Sequence, residues 1–268
     1  MVPRRAASLG VPSHNVQLDM DAPAYLDRIS YTGSLEPTAP VLRALHRAHM
    51  LAVPFENLDI KLGRLIICDE QSIIRKIVGQ NRGGFCYELN GAFAALLREL
   101  GFNVTLLSAR VARQDGSYGP EFDHLTLRVD LDDPWLADVG YGDSFLEPLL
   151  LKLDTEQPQV PRKFRIVEEE GSLHMEMAEP KAEWTRQYLF TLTPRQLADF
   201  EGMCHYHQTS PTSSFTQKSI CSKATPSGRI TIADRKLIIT RNGMRYESTL
   251  DSNEQWRLAL KEHFGIEV

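Results

Sequence analysis

Arg82-Gly83-Gly84-Phe85-Cys86-Tyr87-Glu88-Leu89-Asn90 is the stretch on which the reading of this chain turns. A glycine pair stands just ahead of a cysteine, and Phe93, Leu96, Leu97 and Leu100 then recur at helical spacing. Gly101 follows the last apolar residue, where a helix C-terminus favours glycine. Cys86 is therefore expected at, or just inside, a helix N-terminus. Free backbone N–H groups and the positive end of the macrodipole favour a thiolate there. Gly83 and Gly84, lacking side chains, would leave room for a substrate to reach the sulfur. The plain alternative is a small buried hydrophobe, the usual fate of a free cysteine.

Working toward the N-terminus, Ser72 to Val78 reads as a short helix, and Val53-Pro54-Phe55-Glu56-Asn57-Leu58 as a loop presenting one aromatic and one acid. A helix starting near Thr38 and Pro40 carries Val41, Leu42, Leu45 and Met50 and stops before Pro54. Asp21 ahead of Pro23 is a good helix N-cap. Residues 1–20 lack apolar periodicity and read as a disordered tail.

Toward the C-terminus the period changes to two after Gly101. Val104, Leu106, Ser108 and Arg110 alternate, then Leu125, Leu127, Val129 and Leu131. Asp132-Asp133-Pro134 turns the chain into a strand over Trp135 to Val139, and further strands are expected at Phe164–Glu168, Leu173–Met177 and Trp184–Leu192. Such a run suits an antiparallel sheet or barrel. Thr193-Pro194-Arg195-Gln196 has the form of a capping box and predicts a helix start. From Cys204 to about Gly228 the composition is Ser, Thr, Gln and Lys, as in a linker or binding loop. An Asn242-Gly243 hairpin and a last helix capped by Ser252 close the chain.

The whole chain of 268 residues, 42 % hydrophobic and 24 % charged, is ordinary globular material. Its net charge of −5 argues against a general binder of nucleic acid or anionic membrane. No apolar run approaches a membrane span, and no signal sequence is evident. Four scattered cysteines without a CxxC suit reduced thiols in the cytoplasm. Cys204-His205-Tyr206-His207 lacks the paired spacing of a zinc site, so no metal is expected.

A cysteine nucleophile needs a base, and the base an orienting group. His124 lies in the first strand of the Asp132-Pro134 hairpin and Asp138 in the second. Pairing Trp135 with Val129 or with Leu127 puts His124 and Asp138 on one face, opposite or diagonal. Taken singly, each is more often a satisfied strand histidine or a surface acid. Taken together with Cys86 they outline a Cys-His-Asp triad.

At these residues the chain resembles the arylamine N-acetyltransferases. The resemblance rests on Val53–Leu58, on Arg82–Asn90, on His124-Leu125 and on Trp135-Leu136-Ala137-Asp138-Val139-Gly140-Tyr141-Gly142, and extends from about Asp21 to the end. It implies Cys86 as nucleophile, His124 as base and Asp138 as orienting acid, with Arg82 tied to Glu56. It also implies an α+β fold: an N-terminal helical bundle (21–101) carrying Cys86, a central antiparallel β-barrel (102–203) carrying His124 and Asp138, and a linker with a C-terminal α/β lid (204–268), around a cysteine-protease-like core. The family often has Phe where Tyr141 stands.

The implied reaction moves an acetyl group from acetyl-CoA to an arylamine or arylhydrazine through acetyl-Cys86, with no tightly bound cofactor. Phe55, Phe85 and Tyr141 are candidates for the aromatic acceptor's pocket. There is no Walker loop or GxGxxG for the CoA phosphates. The hydroxyl-rich run with Ser214, Lys218 and Thr225 is the better candidate, together with Gly140 and Tyr141, which follow the acid. The same triad order would also serve a cysteine hydrolase, a transglutaminase-like acyl transferase or an amide synthase. A non-enzymatic nucleotide or partner binder is a further alternative.

Overall fold

The computed structural model describes residues 20–268, so the tail expected over residues 1–20 lies outside the described residues except for Met20. Helix α1 (Ala22–Arg28) starts where Asp21 accepts the Ala24 N–H at 3.0 Å and Pro23 fixes the first turn. Helix α2 (Ala39–Ala52) ends as Val53 turns extended ahead of Pro54. A two-residue strand β1 (Phe55–Glu56) and a single turn α3 (Leu58–Lys61) follow. Helix α4 (Glu70–Ile74) runs into a π turn at Arg75–Gly79. Helix α5 (Cys86–Glu99) ends before Gly101, whose φ of +86° only glycine adopts without strain. Tyr25, Leu42, Leu45, Phe93, Leu96 and Leu97 are all fully buried where these helices meet. Each such side chain contributes roughly 1.5–3 kcal/mol.

Eight strands make the central sheet: β2 (Asn103–Val111), β3 (His124–Asp130), β4 (Pro134–Ala137), β5 (Leu149–Leu150), β6 (Gln157–Gln159), β7 (Arg162–Glu169), β8 (Ser172–Ala178) and β9 (Thr185–Arg195). Their order is β5-β4-β3-β2-β9-β8-β7-β6, antiparallel throughout, and they curl into a nearly closed barrel around Phe145, Phe164, Tyr188 and Phe190. Side chains bridge its seam. The Gln157 amide donates to Leu150 O (3.0 Å) and accepts from Leu150 N (2.8 Å). The Gln159 amide accepts from Leu146 N and Glu147 N and donates to Glu147 O.

Two expectations are corrected in the next stretch. No helix starts at Thr193, because β9 continues through Arg195, with Pro194 opposite Leu107 beside an irregularity in the ladder. Proline is tolerated at such an interruption. The turn begins three residues later, where Gln196 N–H donates to Asp199 at 2.8 Å, and leads through Leu197–Phe200 into α6 (Glu201–Thr209). Nor is the segment from Cys204 to Gly228 a linker. It contains the rest of α6, then α7 (Ser214–Gln217) and β10 (Ile220–Thr225). Its buried residues are Cys204, His207, Ser213, Cys221, Ser222 and Ala224, too small or polar to show a hydrophobic period.

Strands β11 (Gly228–Ala233), β12 (Lys236–Arg241) and β13 (Met244–Thr249) complete a second sheet, ordered β1-β10-β11-β12-β13. Helix α8 (Asn253–Phe264), capped by Ser252, packs Leu260 and Phe264 with Cys221 and Ile232 of this lid. Strand β1 ties the lid to the helical part, since Phe55 pairs with Ser222 and also bridges to Gly84.

Candidate active site

Cys86 is the first residue of α5, preceded by Phe85 in extended conformation. Glu88 reaches back so that its Oε2 accepts the Phe85 N–H at 3.1 Å. The glycine pair serves the protein's own packing. A Cβ on Gly83 would lie 1.9 Å from the Pro54 carbonyl oxygen, and one on Gly84 2.6 Å from the Glu88 Cβ. The room expected there for substrate is therefore filled by Pro54 and Glu88. Arg82 donates to Glu56 Oε1 at 3.0 and 2.7 Å, the tie that the resemblance implies. Arg28 donates to the Arg82 carbonyl, and Lys76 bridges Glu88 (2.7 Å) and Asp59 (2.8 Å). Burial, together with nearby Glu56, pushes Glu88 up to about 7 against the pull of Lys76. The loop before the cysteine is thus clamped by buried ion pairs, which stabilise little net but cost several kcal/mol when one partner is removed.

The β3–β4 ladder pairs Val129 with Trp135 and Leu127 with Ala137, one of the two expected registers. Continued by one residue, it sets Asp138 diagonal to His124. His124 Nε2 and Asp138 Oδ2 are 2.7 Å apart, both side chains buried. With Nε2 so engaged, Nδ1 is the ring atom left for Cys86, whose helix Asn90 ties to the acid. Burial alone would lower the His124 pKa, but the Asp138 carboxylate and Cys86 raise it to about 10. Burial likewise works against Asp138, yet His124, Asn90 and the Gly140 N–H hold it below the usual carboxylate range. For Cys86 burial dominates and pushes the thiol up, against the pull of His124 and the Leu125 backbone.

Two positioning residues carried no obvious signal. Asn90 sits one turn beyond Cys86 on α5. Its Nδ2 donates to Asp138 Oδ1 (2.9 Å) and Leu125 O (2.6 Å), and its Oδ1 accepts the Val139 N–H (2.9 Å). One amide thus joins the helix of the cysteine to the strands of the histidine and the acid. The i, i+4 spacing from Cys86 is the clue that could have found it. His46 on α2 accepts the Asp138 backbone N–H at 3.1 Å and donates to Leu146 O at 2.8 Å. Burial lowers its pKa to about 4, which keeps the ring neutral and able to accept.

Tyr141 stands edge-on to His124 with ring centroids 5.4 Å apart, and its hydroxyl donates to Gln187 O. Phe55 is half-buried against Phe215 and close to Gly142. Phe85 is fully buried between Tyr87 and Phe215, so it backs the site from within the core and presents no surface. Gly140 is pressed against α5, where a Cβ would come within 2.8 Å of the Cys86 Cα. Phe55, Val139, Gly142, Lys223 and Arg229 line a narrow cleft. Arg229 spans it, donating to Gly142 O (2.9 Å) and pairing with Asp143 (3.0 Å).

The CoA candidates do not converge. Ser214 opens α7 and Lys218 follows its end, where Asn57 donates to the Phe215 and Lys218 carbonyls. Thr225 is at the far end of β10, roughly 17 Å along the strand.

A family model described as N-acetyltransferase matches residues 38–268. The arylamine N-acetyltransferase pineal gland isozyme of Gallus gallus is 37 % identical over 92 % of this chain and 94 % of its own length. Arylamine N-acetyltransferase 1 of Homo sapiens is 35 % identical over 93 % and 95 %. The structure of the Mycobacterium marinum arylamine N-acetyltransferase in complex with CoA superposes with a TM-score of 0.85 at 32 % identity, covering 92 % of this chain and 93 % of that one. Matches this complete, over sequence and fold alike, show that the chain belongs to the arylamine N-acetyltransferase family.

Proposed function

We propose that the chain acetylates arylamines and arylhydrazines from acetyl-CoA by a ping-pong reaction through acetyl-Cys86. The observation that carries this reading is the buried His124–Asp138 pair at 2.7 Å, tied through Asn90 to the helix that Cys86 opens. The Cys86 sulfur attacks the thioester carbonyl as a thiolate beside the His124 imidazolium, which carries the proton given up by the thiol and is stabilised by Asp138. The bond from carbon to the CoA sulfur breaks, and CoA leaves as a thiol with that proton. An aromatic amine is weakly basic and unprotonated at neutral pH, so it attacks the acetyl-cysteine directly. His124 accepts its proton and returns it to the Cys86 sulfur. First-turn N–H groups of α5, orphan by helix geometry, are the donors for the oxyanion.

Tyr141 and Phe55 border the acceptor, with Phe85 supporting them from behind. The separation of Ser214 and Lys218 from Thr225 suits an extended ligand such as CoA, with its acyl end toward Gly140 and Tyr141. In this reading the helices through residue 101 supply the nucleophile, residues 102–203 the base and acid, and the remainder the lid over the donor. Four free cysteines and no helix long enough to cross a membrane among the described residues suit the cytoplasm.

Incubation with acetyl-CoA and no amine, followed by intact mass and peptide mapping, tests the scheme. One acetyl on Cys86 is expected. Acetylation elsewhere, or none, rules the intermediate out.

A further inference from the structure

The lid sheet ends in an open edge. Strand β13 pairs only with β12, all six of its residues are exposed, and Met244 and Tyr246 are 57 % and 55 % exposed. Edge strands are ordinarily protected by charged side chains, above all lysine, or by proline, a bulge or a covering segment. β13 has no proline, no lysine and no bulge, and among the described residues no backbone hydrogen bond reaches its outer side. The Asn242-Gly243 turn, with φ of 51° and 78°, makes Arg241 and Met244 its closing pair. Leu250 N–H donates to Arg235 O at 2.7 Å, which fixes the same parity at the other end. The backbone groups of Met244, Tyr246 and Ser248 therefore face β12, and those of Arg245, Glu247 and Thr249 face outward.

An antiparallel strand of the same sequence must hydrogen-bond through those outward residues, and three registers do so near the centre. One sets Arg245 opposite Arg245 and another Glu247 opposite Glu247, both like-charge contacts. In the third, each Arg245 faces the Glu247 of the other strand, and Tyr246 faces Tyr246 across the two-fold axis. Opposite charges directly across a ladder stabilise it and like charges oppose it. In the single chain Arg245 already pairs with its own Glu247 at 2.7 Å, so both side chains lie on one face, as the third register requires.

We propose that Met244–Thr249 is the docking edge for a second copy of this chain, paired antiparallel with Arg245 of each opposite Glu247 of the other. The two five-stranded lids then form one continuous ten-stranded sheet. The interface is isologous and closes after two subunits. A strand-edge contact falls below about 1,200 Å² of total buried area, so the association is weak and depends on concentration.

Sedimentation velocity over about a hundred-fold range of protein concentration tests it. Wild type is expected to pass from monomer to dimer. Arg245→Glu and Glu247→Arg each face like charges across the axis, so each alone is expected to associate at least about tenfold more weakly. Mixed in equal amounts they restore Arg-to-Glu pairing, and the dimer should return. Circular dichroism of each variant verifies the fold. The proposal is overturned by a wild type monomeric throughout, by folded single variants that dimerise as wild type does, or by a mixture of the two that stays monomeric.

Discussion

Replacing Asp138 with asparagine alters the smallest part of the site with the largest expected effect. The carboxylate does two things at once. Oδ2 faces His124 Nε2 at 2.7 Å, while Oδ1 accepts from Asn90 Nδ2 at 2.9 Å and from Gly140 N at 3.0 Å. Asparagine has one acceptor oxygen to divide between these two sides. Two donors at the Oδ1 position outvote one at Oδ2, so the new amide turns its NH2 toward His124. The ring must then accept at Nε2 and carry its proton on Nδ1, facing the sulfur, where it cannot take the thiol proton.

Loss of the charge adds to this. Burial works against the rise of His124 from 6.5 to about 10, so the imidazolium depends on Asp138, the largest of the groups that raise it. We expect Asp138→Asn to slow acetylation of Cys86 by at least about a hundred-fold, about 2.7 kcal/mol, approaching the roughly ten-thousand-fold of the matching change in serine-protease triads. Single-turnover acetylation is the direct assay, with the pH dependence of Cys86 alkylation as the second readout. A variant folded by circular dichroism, with both profiles overlaying wild type, would refute the assignment of Asp138 as the orienting acid.

Other outcomes follow from the same geometry. Because the folded His124 pKa is raised, its contribution to stability is fully present below about 6.5 and is lost as pH rises through about 10. The difference in urea midpoint between wild type and His124→Gln should therefore shrink across that window, and a constant difference would contradict the raised value. Gly140→Ala drives a Cβ to 2.6 Å from Asn90 Nδ2 and 2.8 Å from the Cys86 Cα. Overpacking of this kind costs about 1–3 kcal/mol, and transfer should fall at least about tenfold, read by melting and steady-state assay. Alanine at Lys218 and Thr225 together should raise KM for acetyl-CoA and leave the acceptor KM nearly unchanged; the reverse pattern would move the segment to the acceptor half-site.

The parts of the site legible in the sequence were those set by local rules. A helix start after Gly84 and a hairpin turning at Asp132-Asp133-Pro134 have short-range signals; the first placed Cys86 at a helix N-terminus and the second brought His124 beside Asp138. The thiol's raised pKa was not legible, because it depends on how deeply the barrel and lid bury the sulfur. Asn90 and His46 were hidden for a related reason: their partners are 35 to 100 positions away in the chain. Strand β10 escaped notice since its buried residues, on both faces, are only Cys221, Ser222 and Ala224, and strand β6 because three residues show no period. At Thr193 a strong local capping pattern lost to ladder pairing with β2, a contact across the barrel that no window of sequence contains.

The seam of the barrel bears on how such a chain can change over evolutionary time. Where β5 and β6 meet, the glutamines at 157 and 159 stand in for peptide groups, each amide meeting backbone as another strand would. A wall closed by peptide groups must keep its strand count and stagger together, so a residue gained or lost in one strand propagates around the ring. A clasp of side chains has no such stagger to preserve. The connection from Leu151 to Glu156 is tied only where Asp154 N–H donates to Ile166 O at 2.9 Å and Leu151 N–H to Pro134 O, so its length can change between those ties while two amides still reach across. His124 on β3 and Asp138 just past β4 are spaced by the β3–β4 ladder of peptide bonds, so the circumference of this barrel is open to drift while its chemistry is not.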